Sequence, residues 1–254
     1  MLLVIDIGNS NITLGVYDKD DLKFVARLAT DRLKTGDQYA IDLRDLLHLY
    51  GISTKDIHGS IISSVVPVLG SAFKRAIRTL TGKEPLSVGP GVKTGLNIKI
   101  DNPAQLGADL AAGAVAAVKM YKLPCIVLDL GTATTISVID KNGCFLGGAI
   151  SAGIRISLDA LTSRTSQLPQ IGIEAPPNVI GTNTVDCMKS GLVLGCAAMI
   201  DGLCDRIEEQ LGESATIVAT GGLSAEVVKN CRKDIVCCDN LLLEGLKIIY
   251  EKNA

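Results

Sequence analysis

Tryptophan is absent from this 254-residue chain, aromatic residues make up 3% of it, and only two histidines occur, His48 and His58. So few rings leave little with which to stack nucleobases. Positive charge is not in excess either: 25 Lys plus Arg face 27 Asp plus Glu, a formal net charge of −2. A nucleic-acid partner needs a basic surface to displace counterions from phosphates, and none is expected here. Eight cysteines are present but scattered, with no Cys-x-x-Cys pair. A zinc site needs clustered ligands at characteristic spacing, so we read these cysteines as small apolar residues. G-x-x-x-x-G-K-[ST] is missing, as is a G-x-G-x-x-G following a strand, which sets aside Walker-type and Rossmann nucleotide sites. No uninterrupted apolar run reaches the ~18 residues that would span a bilayer; Asp109, Lys119 and Asp201 break the most apolar stretches. Asp6 comes too early for a secretory signal. The expectation is a cytoplasmic protein with no nucleic-acid or membrane partner.

What the chain does have is 47% apolar residues against 20% charged, and 26 glycines. That composition can bury a core and excludes disorder as the main state. Residues 2–16, LLVIDIGNSNITLGV, are echoed by residues 125–139, CIVLDLGTATTISVI. Each copy is a short Val- and Ile-rich run, then Asp-x-Gly, small polar residues and a second β-branched run, the pattern of a strand turning into a strand. One repeat at half the chain length points to two related domains rather than a solenoid. We place them at 1–118 and 119–254, with the boundary within 115–124. Further strands are expected over 24–29, 60–66, 144–150 and 216–219. Helices are expected over 37–49, 68–80, 108–120, 183–211 and from Ser224, the long one with Gly191, Gly195 and Gly202 as places to bend. Alternating strands and helices in both halves make an α/β fold with two layered sheets.

The chemistry-bearing residues lie at the two turns. Asp6-x-Gly8-Asn9-Ser10 joins strand to strand: glycine brings the backbone close to a ligand, N–H and side-chain groups face anionic oxygens, and the carboxylate can hold a hydrated cation. A plain hairpin accounts for one such turn taken alone. Two copies gripping a polyphosphate from both sides make a functional reading the better one. Asp109 reads on its own as a helix N-terminal carboxylate before an alanine-rich helix, and Thr184 as a helix cap.

The paired Asp-x-Gly turns and the later Thr220-Gly221-Gly222 resemble the sugar-kinase, actin and heat-shock ATPase superfamily. Within it, seven stretches in order resemble the type III pantothenate kinases: DIGNSNITLGV (6–16), GVKTGLNIKIDNPAQLGADL (91–110), DLGTATT (129–135), GGAISAG (147–153), LPQI (168–171), GTNTVDCMKSGL (181–192) and ATGGLS (219–224). The resemblance implies two RNase H-like (actin-like ATPase) domains, a mixed sheet in each, with the active-site cleft between them. It implies transfer of the γ-phosphoryl of ATP to the primary hydroxyl of pantothenate, with Mg2+ and a monovalent cation, K+ or NH4+. By motif matching, Asp6, Ile7, Gly8, Asn9, Ser10, Asn11, Ile12 and Thr13 would hold the ATP phosphates, with Thr132 helping. Asp129 would hold the monovalent cation. Pantothenate would lie against Ile100, Gly107, Ala108, Asp109 and Leu110 with Thr184 near, Asp109 taking the hydroxyl proton, and Gly221-Gly222 would pass adenine. The resemblance also implies a homodimer through the second-half helices, with Leu192, Leu194, Ala197, Ala198, Ile200, Leu203 and Ile207 as the candidate face.

Three positions depart from the family pattern. Leu110 stands where an arginine is usual, Ile100 where a tyrosine is common, and Ala152-Gly153 where Pro-Gly is common. An apolar group has replaced a charged fork able to grip a carboxylate. A kinase for another small hydroxylated substrate, or a non-catalytic accessory protein, are the alternative readings.

Overall fold

The structure is a computed structural model describing residues 1–254. Strands β1 (Leu2–Ile7), β2 (Asn11–Asp18) and β3 (Asp21–Ala29) are followed by α1 (Gly36–Leu49), β4 (Gly59–Ser64), α2 (Pro67–Thr81) and β5 (Leu86–Ser87). Then come β6 (Asn97–Ile98), α3 (Ala108–Met120), β7 (Cys125–Leu130), β8 (Ala133–Ile139), β9 (Cys144–Ala152) and α4 (Ile154–Arg164). The chain finishes with α5 (Thr184–Lys189), α6 (Gly195–Leu211), β10 (Thr216–Thr220), α7 (Ser224–Val228), β11 (Ile235–Cys237) and α8 (Leu241–Glu251). Two compact units result: Met1–Leu96, Asn102–Ala116 and Leu241–Ala254 form the first, Asn97–Asp101 and Ala117–Asn240 the second.

The first unit holds a five-stranded sheet in the order β3-β2-β1-β4-β5. The β1–β2–β3 meander is antiparallel, whereas β4 and β5 join in parallel. Because side chains alternate along a strand, β1 feeds two layers at once. Leu3, Ile5 and Ile7 pack with Tyr39, Leu43 and Leu47 of α1 and Leu69, Phe73 and Ile77 of α2. Val4, with Tyr17 and Ile61, meets Ala112 and Val115 of α3 and Leu243, Leu246 and Ile249 of α8. Helix α1 starts on a capping box between Thr35 and Gln38, which satisfies two otherwise orphan N–H groups. Strand β4 stops at Ser64, and Pro67 opens α2, where its missing N–H costs nothing.

A single cut after residue 118 does not describe this arrangement. The change of unit falls between 116 and 117, inside α3, and α8 belongs to the first unit because three of its apolar side chains complete that unit's second core. Gly245 permits the fit, since a Cβ there would strike the Ala112 backbone.

The second unit repeats the plan in a six-stranded sheet, β11-β10-β7-β8-β9-β6. Again a meander, β7–β8–β9, is antiparallel and two later strands, β10 and β11, add in parallel beside its first strand. Ile126, Leu128 and Leu130 face a core shared with Ile136, Ala197, Ile200 and Cys204. The long helical stretch changes its winding beside two of its glycines, Gly191 and Gly195: a π-helical turn, Ser190–Leu194, separates α5 from α6. Charges such as Lys189 and Asp201 interrupt it, yet Thr184–Leu211 is long and apolar enough by length and composition to cross a membrane, with mean hydropathy 1.4 over an 18-residue window. Part of that apolarity serves the unit's own core, through Val193, Cys196, Ala197, Ile200 and Cys204. Its charge has a local task as well: Asp201 accepts hydrogen bonds from the Arg232 and Lys233 backbone N–H groups at 2.9–3.1 Å.

Candidate active site

In the first unit, Asp6 sits near the end of β1, and Gly8 to Ser10 turn the chain into β2. Gly8 N–H closes the turn on Asn11 O at 3.0 Å, and the ladder resumes with Ile7 opposite Ile12. Ile7 and Ile12 are fully buried in the core and Ile7 O accepts the Val65 N–H at 3.1 Å, so of the residues assigned to this loop these two support it from beneath rather than face a ligand. Asn9, Ser10 and Asn11 are exposed. The loop between β3 and α1 braces the turn. Thr30 donates its hydroxyl to Gly8 O at 2.7 Å and its N–H to Ser10 O at 3.0 Å, while Arg32 Nη2 donates to Asn9 Oδ1 at 3.0 Å.

Asp6 lies between two hydroxyl residues, opposite Thr13 of β2 and Ser63 of β4. Register partners share a face of the sheet. Ser63 Oγ is buried and has no hydrogen-bond partner.

The second turn has the same parts with one residue fewer. Leu130 stands opposite Thr134, leaving three residues in the loop where the first turn has four between Ile7 and Ile12. Asp129 lies between Thr135 of β8 and Thr220 of β10, and Thr135 Oγ1 is the buried, unpartnered hydroxyl here. Two glycine motifs press on this turn. Gly153, which ends GGAISAG, donates its N–H to Thr132 O at 3.2 Å, and a Cβ there would collide with the Gly131 and Thr132 carbonyls. Gly221 has φ +96°, and its Cβ would stand 2.7 Å from Asp129 Oδ1. Its carbonyl accepts from Ser224 Oγ at 2.8 Å.

Asp109 occupies the first turn of α3. One carboxylate oxygen accepts the Leu110 N–H at 2.8 Å. Burial pushes its carboxyl above the ordinary value of 3.8, and the backbone hydrogen bond from Leu110 opposes that rise only in part. Gly107 makes the rotamer possible, because a Cβ at that position would overlap Asp109 Oδ1. The result is a half-buried carboxylate at a helix N-terminus, held by backbone rather than by a counter-charge. Ala108 and Leu110 beside it are half-buried.

Ile100, in the second unit, packs toward Gly147 of β9: a Cβ on that glycine would be 3.6 Å from Ile100 Cγ2. Thr184 does not cap α5. Asn183 does so, with its Oδ1 accepting the Asp186 N–H at 2.9 Å, which leaves Thr184 exposed and unspent on the helix. Of the helix face suggested for dimerisation, Ala197 and Ile200 are buried in the unit's own core, whereas Leu194 is half-buried and Ala198 exposed. Sequence reasoning missed Arg32, Thr30 and Ser63. The first two belong to a loop with no motif of its own, and Ser63 is one serine among three in β4.

The sequence profile of the type III pantothenate kinases matches residues 2–206. A type III pantothenate kinase from Moorella thermoacetica is 43% identical over 258 residues, covering 100% of both chains. One from Halalkalibacterium halodurans is 44% identical over 255 residues, again covering 100% of both. Among solved structures, one named as a conserved Baf family transcriptional activator from Campylobacter jejuni superposes with a TM-score of 0.65 at 20% identity, covering 99% of this chain and 98% of that one. Likeness at that identity speaks to fold alone, and the fold is that of two RNase H-like domains of the actin-like ATPase kind.

Proposed function

This chain belongs to the type III pantothenate kinase family, and from that premise we propose that it transfers the γ-phosphoryl group of ATP to the primary hydroxyl of pantothenate, the first step towards coenzyme A, in the cytoplasm and as a homodimer. The observation that carries the reading is Asp109, a backbone-held carboxylate whose neighbour Gly107 leaves room for it. Phosphoryl transfer passes through a loose transition state, so catalysis is chiefly alignment and charge neutralisation. Asp109 takes the proton from the attacking hydroxyl. Gly107, Ala108 and Leu110 flank Asp109 on the acceptor side, and Ile100 and Thr184 are assigned to the acceptor by motif matching. The loop from Asp6 to Thr13 holds the phosphates through the exposed Asn9, Ser10 and Asn11, with Ile7 and Ile12 anchoring it in the core; Thr132 is assigned to the same task by motif matching.

Carboxylate and hydroxyl oxygens are the donors hard cations select. The buried, unpartnered Ser63 and Thr135 hydroxyls beside Asp6 and Asp129 fit that chemistry. We assign Mg2+ to the Asp6 side and K+ or NH4+ to Asp129. When bound, these ions offset the negative charge of the phosphates. The homodimer reading draws support from the stretch Thr184–Leu211, of which only a third of an 18-residue apolar window is buried within the chain.

Leu110 favours a second reading, a less anionic hydroxylated acceptor, because its apolar side chain cannot grip a carboxylate. Coupled ADP release from ATP and Mg2+, with and without pantothenate, in K+ against Na+, separates the two. Pantothenate- and K+-dependent turnover that disappears in Asp109→Asn is expected. ATP binding without pantothenate-dependent turnover would overturn the substrate assignment and leave the second reading.

A further inference from the structure

The phosphate turn in the first unit, residues 6–13, contains no lysine or arginine. We propose that Arg32, from the loop between β3 and α1, supplies the fixed positive charge of that turn and contacts the phosphate chain of ATP. The proposal rests on the reading of residues 6–13 as the phosphate loop.

Arg32 is exposed, yet the backbone on both sides of it is pinned. On one side Thr30 is bonded twice to the turn, at Gly8 O (2.7 Å) and Ser10 O (3.0 Å). Asp31 is bonded twice to the phenol of Tyr39: Tyr39 OH donates to Asp31 O at 2.7 Å, and Asp31 N–H donates to Tyr39 Oη at 3.2 Å. Tyr39 is fully buried in the core and stacks obliquely on Phe73, so that anchor is rigid. On the other side, Leu33 N–H is held by Asp31 Oδ1 at 2.9 Å. The remaining side-chain freedom of Arg32 is spent on Asn9, with Nη2 to Oδ1 at 3.0 Å.

Three consequences follow for an anion at the turn. The carbonyls of Gly8 and Ser10, which would repel phosphate, are taken up by Thr30 and face the brace. The nearby Asp31 carboxylate is engaged with Leu33 N–H, and Lys34 is engaged with Asp42 at 2.9 Å, so Arg32 is the charge of this loop directed at the turn. A guanidinium also has five donors in a planar fork, and one bond to Asn9 leaves others for phosphate oxygens, the partner for which arginine geometry is best suited.

The test is nucleotide affinity of the full chain by calorimetry, for ATP, ADP and AMP, at two salt concentrations. Arg32→Ala is expected to weaken ATP about 10- to 100-fold, as for a lost charge-assisted hydrogen bond. ADP should lose less, AMP little, and the salt dependence of ATP binding should become shallower. Arg32→Lys should recover part of the ATP loss. Because Arg32 is exposed, thermal melting should be unmoved, and it serves as the check on folding. Asn9→Ala and the double variant separate direct contact from mere support of Asn9. Additive losses are expected, whereas a double variant no worse than Asn9→Ala alone would overturn the proposal. An ATP affinity in Arg32→Ala within about threefold of the parent, or equal losses for ATP and AMP, would overturn it too. A parent chain that fails to bind ATP would overturn the phosphate-loop reading, and this proposal with it.

Discussion

Gly221 stands against Asp129 so closely that a single methyl group on the glycine would come within 2.7 Å of the carboxylate oxygen. Its φ of +96° adds a second reason for glycine, since side-chain-bearing residues rarely adopt that conformation. The next residue, Gly222, is exposed, and a methyl group there would meet nothing within 4 Å. Gly221→Ala should therefore destabilise the chain by about 1–3 kcal/mol and abolish cation-dependent turnover. Gly222→Ala should stay within about 0.5 kcal/mol of the parent. Urea unfolding of the pair, read beside K+ titrations of activity, checks this; equal effects at the two glycines would count against it.

Asp109 should set the acid limb of the pH profile. Burial raises its folded-state pKa above the ordinary 3.8, and a general base must be ionised. The kcat/KM for the acceptor should thus fall, as pH drops, at a higher pH than an ordinary carboxylate would give. Asp109→Asn should cost about 10²- to 10⁴-fold in turnover. The stability sign is opposite. A carboxyl whose folded pKa is raised contributes its stability fully below the unfolded value and loses it as pH rises through the folded value. Asp109→Asn should therefore melt at or above the parent temperature at neutral pH, with the gap closing below about pH 3.8.

Thr135→Val should make the chain more stable and less responsive to the cation. It removes a buried hydroxyl that has no partner, and such a group costs about 1–3 kcal/mol. If that oxygen serves the ion assigned to Asp129, the variant should need a higher K+ concentration for half-maximal activity while melting at a higher temperature. A melting temperature that rises with no change in K+ response would detach Thr135 from the cation.

Leu110→Arg should lower the KM for pantothenate by about tenfold, the scale of a charge-assisted hydrogen bond to a carboxylate. The stem of the new side chain can follow the half-buried path that Leu110 takes now. Steady-state kinetics against pantothenate and against an uncharged amide analogue checks the assignment. Improvement confined to the acid is expected, and equal change for both would show that position 110 does not read the carboxylate.

The turns were legible in the sequence because Asp-x-Gly between β-branched runs fixes both a strand end and a hairpin within a dozen residues. Helices α1, α2 and α3 were legible for a similar reason, being local patterns of apolar spacing. Partners far apart in the chain were not. Nothing local marks Leu243 or Leu246 as neighbours of Val4, and two-residue strands such as β5 and β6 carry no periodicity at all. The cap of α5 went to Asn183 rather than Thr184 because the amide side chain reaches the Asp186 N–H. In the echo itself, the sequence offset of 123 aligns the aspartates and glycines, but the second turn is one residue shorter, so Thr13 corresponds in register to Thr135 and not to Ile136. The brace around Arg32 left no trace beyond its polar composition.

The return of α8 to the first unit bears on how the chain comes off the ribosome. A nascent chain emerging from its N-terminus presents β1 through β5 long before Leu241 is made. Until then Val4, Tyr17 and Ile61 lack the cover of Leu243, Leu246 and Ile249, and Tyr17 lacks its hydrogen bond to Glu244 at 2.9 Å. The second unit, continuous from Ala117 to Asn240 apart from the short piece Asn97–Asp101, has all its strands available earlier. Domains usually fold in order of synthesis; here the unit begun first is finished last, and its half-covered sheet is the surface a chaperone would meet.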